Sequence, residues 1–262
     1  MLTPNCRHLL EKLDGISSDV LWDIGDESQE VYKEAFPKLA NFVSKLDFEA
    51  DREKILALIE YLSKELMHPS QPTYRKEGGL SGFVTLTTVL GKDFTSQLLE
   101  EILPPVLVIL QDSSVRHAAY QAIYEIARVV GRGIIMFFDR IVYVFSLLPK
   151  DSDTVPSYTN DILAKIVELA ATDDGKLSIE EFLNFLKGRM RKIHYKGRLF
   201  LLHWIQNNAR GLVDDEWFII EFIDAWFHKL SDPEPNEREK ACQELALILS
   251  LIKFGHVRHY FI

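Results

Sequence analysis

Cysteine is almost missing from this 262-residue chain: there are two, Cys6 and Cys242, near its opposite ends. Two such thiols build neither a disulfide framework nor a cysteine-based zinc site. Long apolar runs are missing too. The longest, Ile102–Leu110, contains Pro104-Pro105 and falls well short of the ~20 residues that span a bilayer. Met1–Leu13 carries polar and charged residues where a secretory signal would place an apolar core. A soluble protein of the cytosol or nucleus is therefore expected. Positive charge is in deficit, with 30 Lys+Arg against 39 Asp+Glu and a net charge of −9. A sequence-independent nucleic-acid binder needs the opposite balance to neutralise phosphates, so no nucleic-acid partner is expected. Alternation of apolar and polar residues between turn dipeptides is scarce, which leaves little material for a sheet.

What the chain does have is helical periodicity. Hydrophobic residues make up 47% and charged residues 26%, enough for a sizeable core. Ile55, Leu58, Ile59, Leu62 and Leu66 recur at the spacing of one helix face, and so do Ala241, Leu245, Ile248 and Ile252. Prolines fall mostly between the apolar runs, at Pro69 and Pro72, Pro104-Pro105, Pro149 and Pro156, and Pro233 and Pro235. Because proline breaks helix interiors, this spacing predicts many short helices.

The pattern also repeats. Arg116-x-x-Ala119-x-x-x-Ile123-x-x-Ile126 returns as Arg238-x-x-Ala241-x-x-x-Leu245-x-x-Ile248. Arg75 and Arg198 fall in the same register, Gly78 takes the small position held by Ala119, and the spacing is ~40 residues or a multiple of it. That is the length of a HEAT or armadillo helix pair. One pair cannot bury its own apolar face, so neighbours must stack. The expected fold is all-α: a single α-solenoid domain over residues 1–262 with about six helix pairs. An irregular insertion is expected near residues 14–28 and a frayed tail near 254–262. Arg75, Arg116 and Arg238, with Gly78 and Gly79, are expected to serve packing between repeats. In such a ladder the basic residue would meet an acid of the adjacent repeat, with Asp112 and Asp153 placed for it.

Catalytic patterns are few. There is no Walker A or GxGxxG run. Gly79-Leu-Ser81-Gly82 lacks the second glycine of a nucleophile elbow at the required place and follows no strand. Asp173–Phe182 approaches a calcium loop around Gly175, but Ala170 and Thr172 would fall on its leading ligand positions. Ser178-x-x-Glu181 reads better as a capping box. His256 and His259 have no nearby carboxylate to complete a metal site. No catalytic residue, cofactor or metal is expected. One cluster stands out against the acidic background: Lys187, Arg189, Arg191, Lys192, Lys196 and Arg198, with no acid among them. It reads either as a solvated interhelical turn or as a docking patch for an acidic partner or anionic lipid headgroups.

The segment Arg75-Lys76-Glu77-Gly78-Gly79-Leu80-Ser81-Gly82 and the later Leu90-Gly91-Lys92-Asp93 are less generic. Two glycines early in a helix cost about 1 kcal/mol each relative to alanine, so a close approach should require them. Together with Asp112, Arg116, Tyr120, Tyr124 and Arg132-Gly133, this run resembles the N-terminal HEAT repeats of the vacuole-morphology scaffold family, also called the associated regulator of PIKfyve. The resemblance covers most of the chain, although family members are several times longer. It implies a non-catalytic scaffold that holds a PIKfyve-type lipid kinase, which makes phosphatidylinositol 3,5-bisphosphate, and a Sac-type phosphatase opposing it. Location at the cytoplasmic face of endosomal or vacuolar membranes is implied as well, peripheral and through partners. The kinase is the partner implied for the N-terminal repeats. Repeat period by itself fits equally an adaptor for transport cargo or the cytoskeleton.

Overall fold

A computed structural model describes residues 8–9, 11–147, 165, 221, 224–225, 227–236, 238–239 and 241–243. Among these residues every regular element is helical. In chain order they are α1 (Ser18–Asp23), α2 (Gln29–Val43), α3 (Arg52–Glu60), α4 (Thr73–Gln97), α5 (Leu99–Ile109), α6 (Arg116–Val130) and α7 (Phe138–Ser146). A π-helical turn, Tyr61–Leu66, continues α3, and a 3₁₀ stretch, Gly131–Phe137, links α6 to α7. Two compact units are present, residues 1–138 with 148–182 and residues 139–147 with 183–262.

In the first unit α2 packs on α4 and α4 on α6, while α3 packs on α5. Alternate helices therefore fall into two layers, the arrangement of stacked helix pairs. The helices of the first layer begin at Gln29, Thr73 and Arg116, close to the ~40-residue repeat of the sequence. The periodic residues form the seam between layers. Ile55, Leu58, Leu62 and Leu66 are fully buried, and so are Ala119, Ile123, Ile126 and Val130. Within the expected irregular stretch 14–28 lies α1, started by Ser17, whose hydroxyl accepts from the Asp19 amide.

Two prolines depart from the expectation that they separate helices. Pro104-Pro105 lies inside α5, as Pro37 lies inside α2. The helical partners of these two positions are the carbonyls of Glu100 and Glu101, both exposed residues, where loss of a donor costs least. At Gly91, α4 bends: φ +73° and ψ −175° interrupt the helix in a region open to glycine. The bend turns the last stretch of α4 so that Phe94 stacks on Phe48 with ring centres 4.1 Å apart. It also lets the Thr95 hydroxyl donate to the buried Thr87 carbonyl at 3.1 Å.

In the second unit the described residues are helical again, in α7 and in parts of 221–230 and 235–243. Ile141, Val142, Ala225 and Ala241 are fully buried there. Among the described residues no helix is long and apolar enough to cross a membrane.

Candidate functional site

A close crossing of elements is built on one face of α4, where Gly78, Gly79 and Gly82 share helical spacing. A Cβ on Gly78 would overlap the carbonyl oxygen of Ile24 and stand 3.2 Å from the Cα of Gly25. On Gly79 it would come within 2.6 Å of Met67 Cγ and 3.1 Å of the Leu62 carbonyl, and on Gly82 within 2.5 Å of Leu62 Cδ2. These neighbours come from the turn after α1 and from the π-helical turn. The π turn is closed by Met67 N–H donating to Leu62 C=O, five residues back. The double glycine is thus a crossing point: the backbone of one segment rests on the backbone of α4.

The basic pair at the start of α4 splits its duties. Arg75 lies with its guanidinium 5.5 Å from the ring centre of Trp22, and its Nε is buried with no hydrogen-bond partner among the described residues. Lys76 is 5% exposed and donates from Nζ to the Pro69 carbonyl at 2.9 Å and to Asp112 Oδ2 at 2.7 Å. The other Asp112 oxygen accepts from the Ser114 amide and hydroxyl at 2.9 and 2.7 Å. The Lys76 and Ser114 hydrogen bonds hold the Asp112 carboxyl at about 2, well below its ordinary range. Asp112 does meet a base from the preceding helix pair, but that base is Lys76 and not Arg75. The signal was in the sequence: Lys76 falls at i, i+4 and i+7 with Leu80 and Phe83, on the buried face.

The other recurring arginines bond backbone. Arg116 Nε donates to the Leu110 carbonyl at 3.0 Å, and Arg238 Nη1 donates to the Asp232 carbonyl at 2.8 Å, each six residues back. Pro69 stands six residues before Arg75, and there Lys76 supplies the bond. At three registers of the repeat, a cation closes the same orphan carbonyl at the end of the preceding segment. Across the first layer, the Tyr32 and Ser81 hydroxyls meet at 2.7 Å between α2 and α4, and burial pushes the Tyr32 phenol up.

The basic cluster Lys187, Arg189, Arg191, Lys192, Lys196 and Arg198 lies outside the described residues, as do Arg198's register, Asp153, the Asp173–Phe182 loop, His256 and His259, and the tail 254–262.

Helix pairs stacked in two layers define a helical-repeat protein. Residues 74–169 match a family model described as the Vacuolar 14 Fab1-binding region. The chain is 35% identical over 246 residues to the Protein VAC14 homolog of Arabidopsis thaliana, covering 93% of this chain and 33% of that protein. It is 24% identical over 147 residues to Vacuole morphology and inheritance protein 14 of Saccharomyces cerevisiae, covering 55% and 17%. With the Protein VAC14 homolog of Schizosaccharomyces pombe it shares 23% identity over 229 residues, covering 72% and 28%. No solved structure matches. The chain is of the VAC14 type, and it spans a third or less of the length of these relatives.

Proposed function

We propose that this chain is the kinase-binding part of a non-catalytic scaffold that regulates a Fab1/PIKfyve-type lipid kinase and with it phosphatidylinositol 3,5-bisphosphate synthesis. The observation that carries this reading is the position of the match to the Fab1-binding region. It starts at Tyr74, in the first turn of α4, and runs through α5, α6 and α7. Within the first unit, the glycine crossing fixes α4 against the segments before it, and the Lys76–Asp112 pair joins the start of α4 to the turn before α6. A rigid stack of this kind suits recognition by shape, because its partner meets a surface that is already ordered.

The scaffold would act at the cytoplasmic face of endosomal or vacuolar membranes, held there through its partners. A Sac-type phosphatase is a second partner on this reading. The cluster Lys187, Arg189, Arg191, Lys192, Lys196 and Arg198 would supply an electrostatic contact to an acidic partner surface or to anionic headgroups. The test is co-purification of the Fab1-type kinase with the tagged full chain at two salt concentrations. Retention at physiological salt supports the reading, and a protein that never retains the kinase sinks it. A triple reversal, Arg189, Arg191 and Lys192 to Glu, tests the cluster separately: lost retention with unchanged melting assigns it to docking.

A further inference from the structure

We propose that residues 17–26 form a strap that opens and closes as a unit over the glycine face of α4. Its opening uncovers Gly78 and releases the guanidinium of Arg75.

The strap consists of α1 and the turn after it. Helix α1 packs on α2, while Ile24 and Gly25 lie across Gly78. Val20, Leu21 and Ile24 are the side chains it buries. Among the described residues, one buried side-chain hydrogen bond ties it to the next pair, from the Tyr61 hydroxyl to the Leu21 carbonyl at 2.8 Å. The other polar neighbour, Arg75, acts both ways. Its guanidinium lies 5.5 Å from the ring centre of Trp22 and holds the strap, while its Nε, 3.3 Å from where a Cβ of Gly25 would stand, is buried without a hydrogen-bond partner among the described residues. An unpaired buried donor forfeits the water it had before the strap closed.

The energetics point the same way. Ordering ten backbone residues cancels much of what burying three aliphatic side chains returns. The contact on Gly78 is backbone on backbone. Gly15, with φ +96°, precedes the strap and lets the chain turn there. Segments with few buried side chains sit at the low end of the local stability scale. By contrast α6 buries seven residues along its length. The strap should therefore open while α4–α6 stays folded.

The proposal goes beyond the kinase reading and does not depend on it, since its test needs only the full chain. Native-state hydrogen exchange is followed by mass spectrometry, comparing peptides over residues 17–26 with peptides over α6. The amides of Val20, Ile24, Gly25 and Asp26, each hydrogen-bonded within the strap, are the reporters. The expected result is cooperative exchange of 17–26 with protection at least about tenfold below that of α6. Tyr61→Phe should lower protection of the strap by about tenfold more and leave α6 unchanged. Gly78→Ala should take strap protection away altogether, again with α6 retained. If 17–26 and α6 exchange together in the wild type, or Tyr61→Phe lowers both equally, the segment is integral core and the proposal is overturned. Should Gly78→Ala fail to fold, the wild type and Tyr61→Phe decide the question by themselves.

Discussion

Lys76 and Asp112 meet at 2.7 Å across 36 residues of sequence, joining the start of α4 to the turn before α6. The lysine side chain is 7% exposed and the aspartate 29%, so the two partners lose different amounts of hydration. Removing the aspartate therefore leaves the more costly orphan.

From that asymmetry, Asp112→Asn should destabilise the fold by about 3 kcal/mol at neutral pH, since a nearly dry ammonium keeps only the Pro69 carbonyl. The pH dependence has a definite sign. The Asp112 carboxyl is lowered to about 2 in the folded chain, from an ordinary 3.8. Its contribution is thus complete above pH ~4 and fades as pH falls through about 2, amounting to ~1 kcal/mol after solvent screening. Urea unfolding at neutral and acidic pH checks this: the gap between wild type and Asp112→Asn should narrow on acidification. A gap independent of pH would mean the pair is not ionic.

The glycine face gives a graded series. Gly78→Ala places a Cβ against the Ile24 carbonyl, which is backbone and can move only with its whole segment, and should cost ~1–3 kcal/mol. Gly82→Ala meets the far end of the Leu62 side chain, which can change rotamer, and should cost less. Thermal melts of the two variants decide it, and an equal loss in both would contradict the packing described here.

Gly91 makes the opposite case. Among the described residues nothing lies within 4 Å of a Cβ built there, so they leave room for a side chain. The backbone still resists, because φ +73° with ψ −175° is a glycine conformation. Gly91→Ala should destabilise by ~1–3 kcal/mol through strain, measured by denaturant unfolding. A neutral substitution would show that the bend relaxes into continuous helix.

Arg116 closes the Leu110 carbonyl, and at the equivalent place Lys76 closes Pro69. Either cation therefore does the job. Arg116→Ala should cost about 1 kcal/mol, and Arg116→Lys should recover most of it. If lysine were as damaging as alanine in a melt, the guanidinium would have a further task that the carbonyl bond does not express.

Periodicity made the stack legible because burial recurs with the helical turn: Ile55 to Leu66 and Ala119 to Val130 were readable as seams, and both are buried. The same stripe hid the π turn at Tyr61–Leu66. Its leucines stay inward whether the turn holds 3.6 residues or more, so side-chain pattern carries no trace of the wider backbone. The glycines of α4 announced a close approach, but not what approaches. Ile24 and Gly25 come from a stretch without periodicity, and their contact is made by backbone, which every residue shares. Prolines misled at Pro104-Pro105 because the cost of a missing donor depends on whether water can reach the carbonyl, and that is a property of the folded surface. The carbonyl-capping role of Arg116 and Arg238 was equally hidden, since a carbonyl acceptor has no residue type to search for.

The most direct measurement is binding between the purified full chain and a purified Fab1-type kinase, by calorimetry or interferometry at physiological salt. A complex with a dissociation constant below about 1 μM is expected, as for a specific interface of standard size. Absence of binding up to about 100 μM, with the chain folded by circular dichroism, would contradict the kinase-scaffold reading.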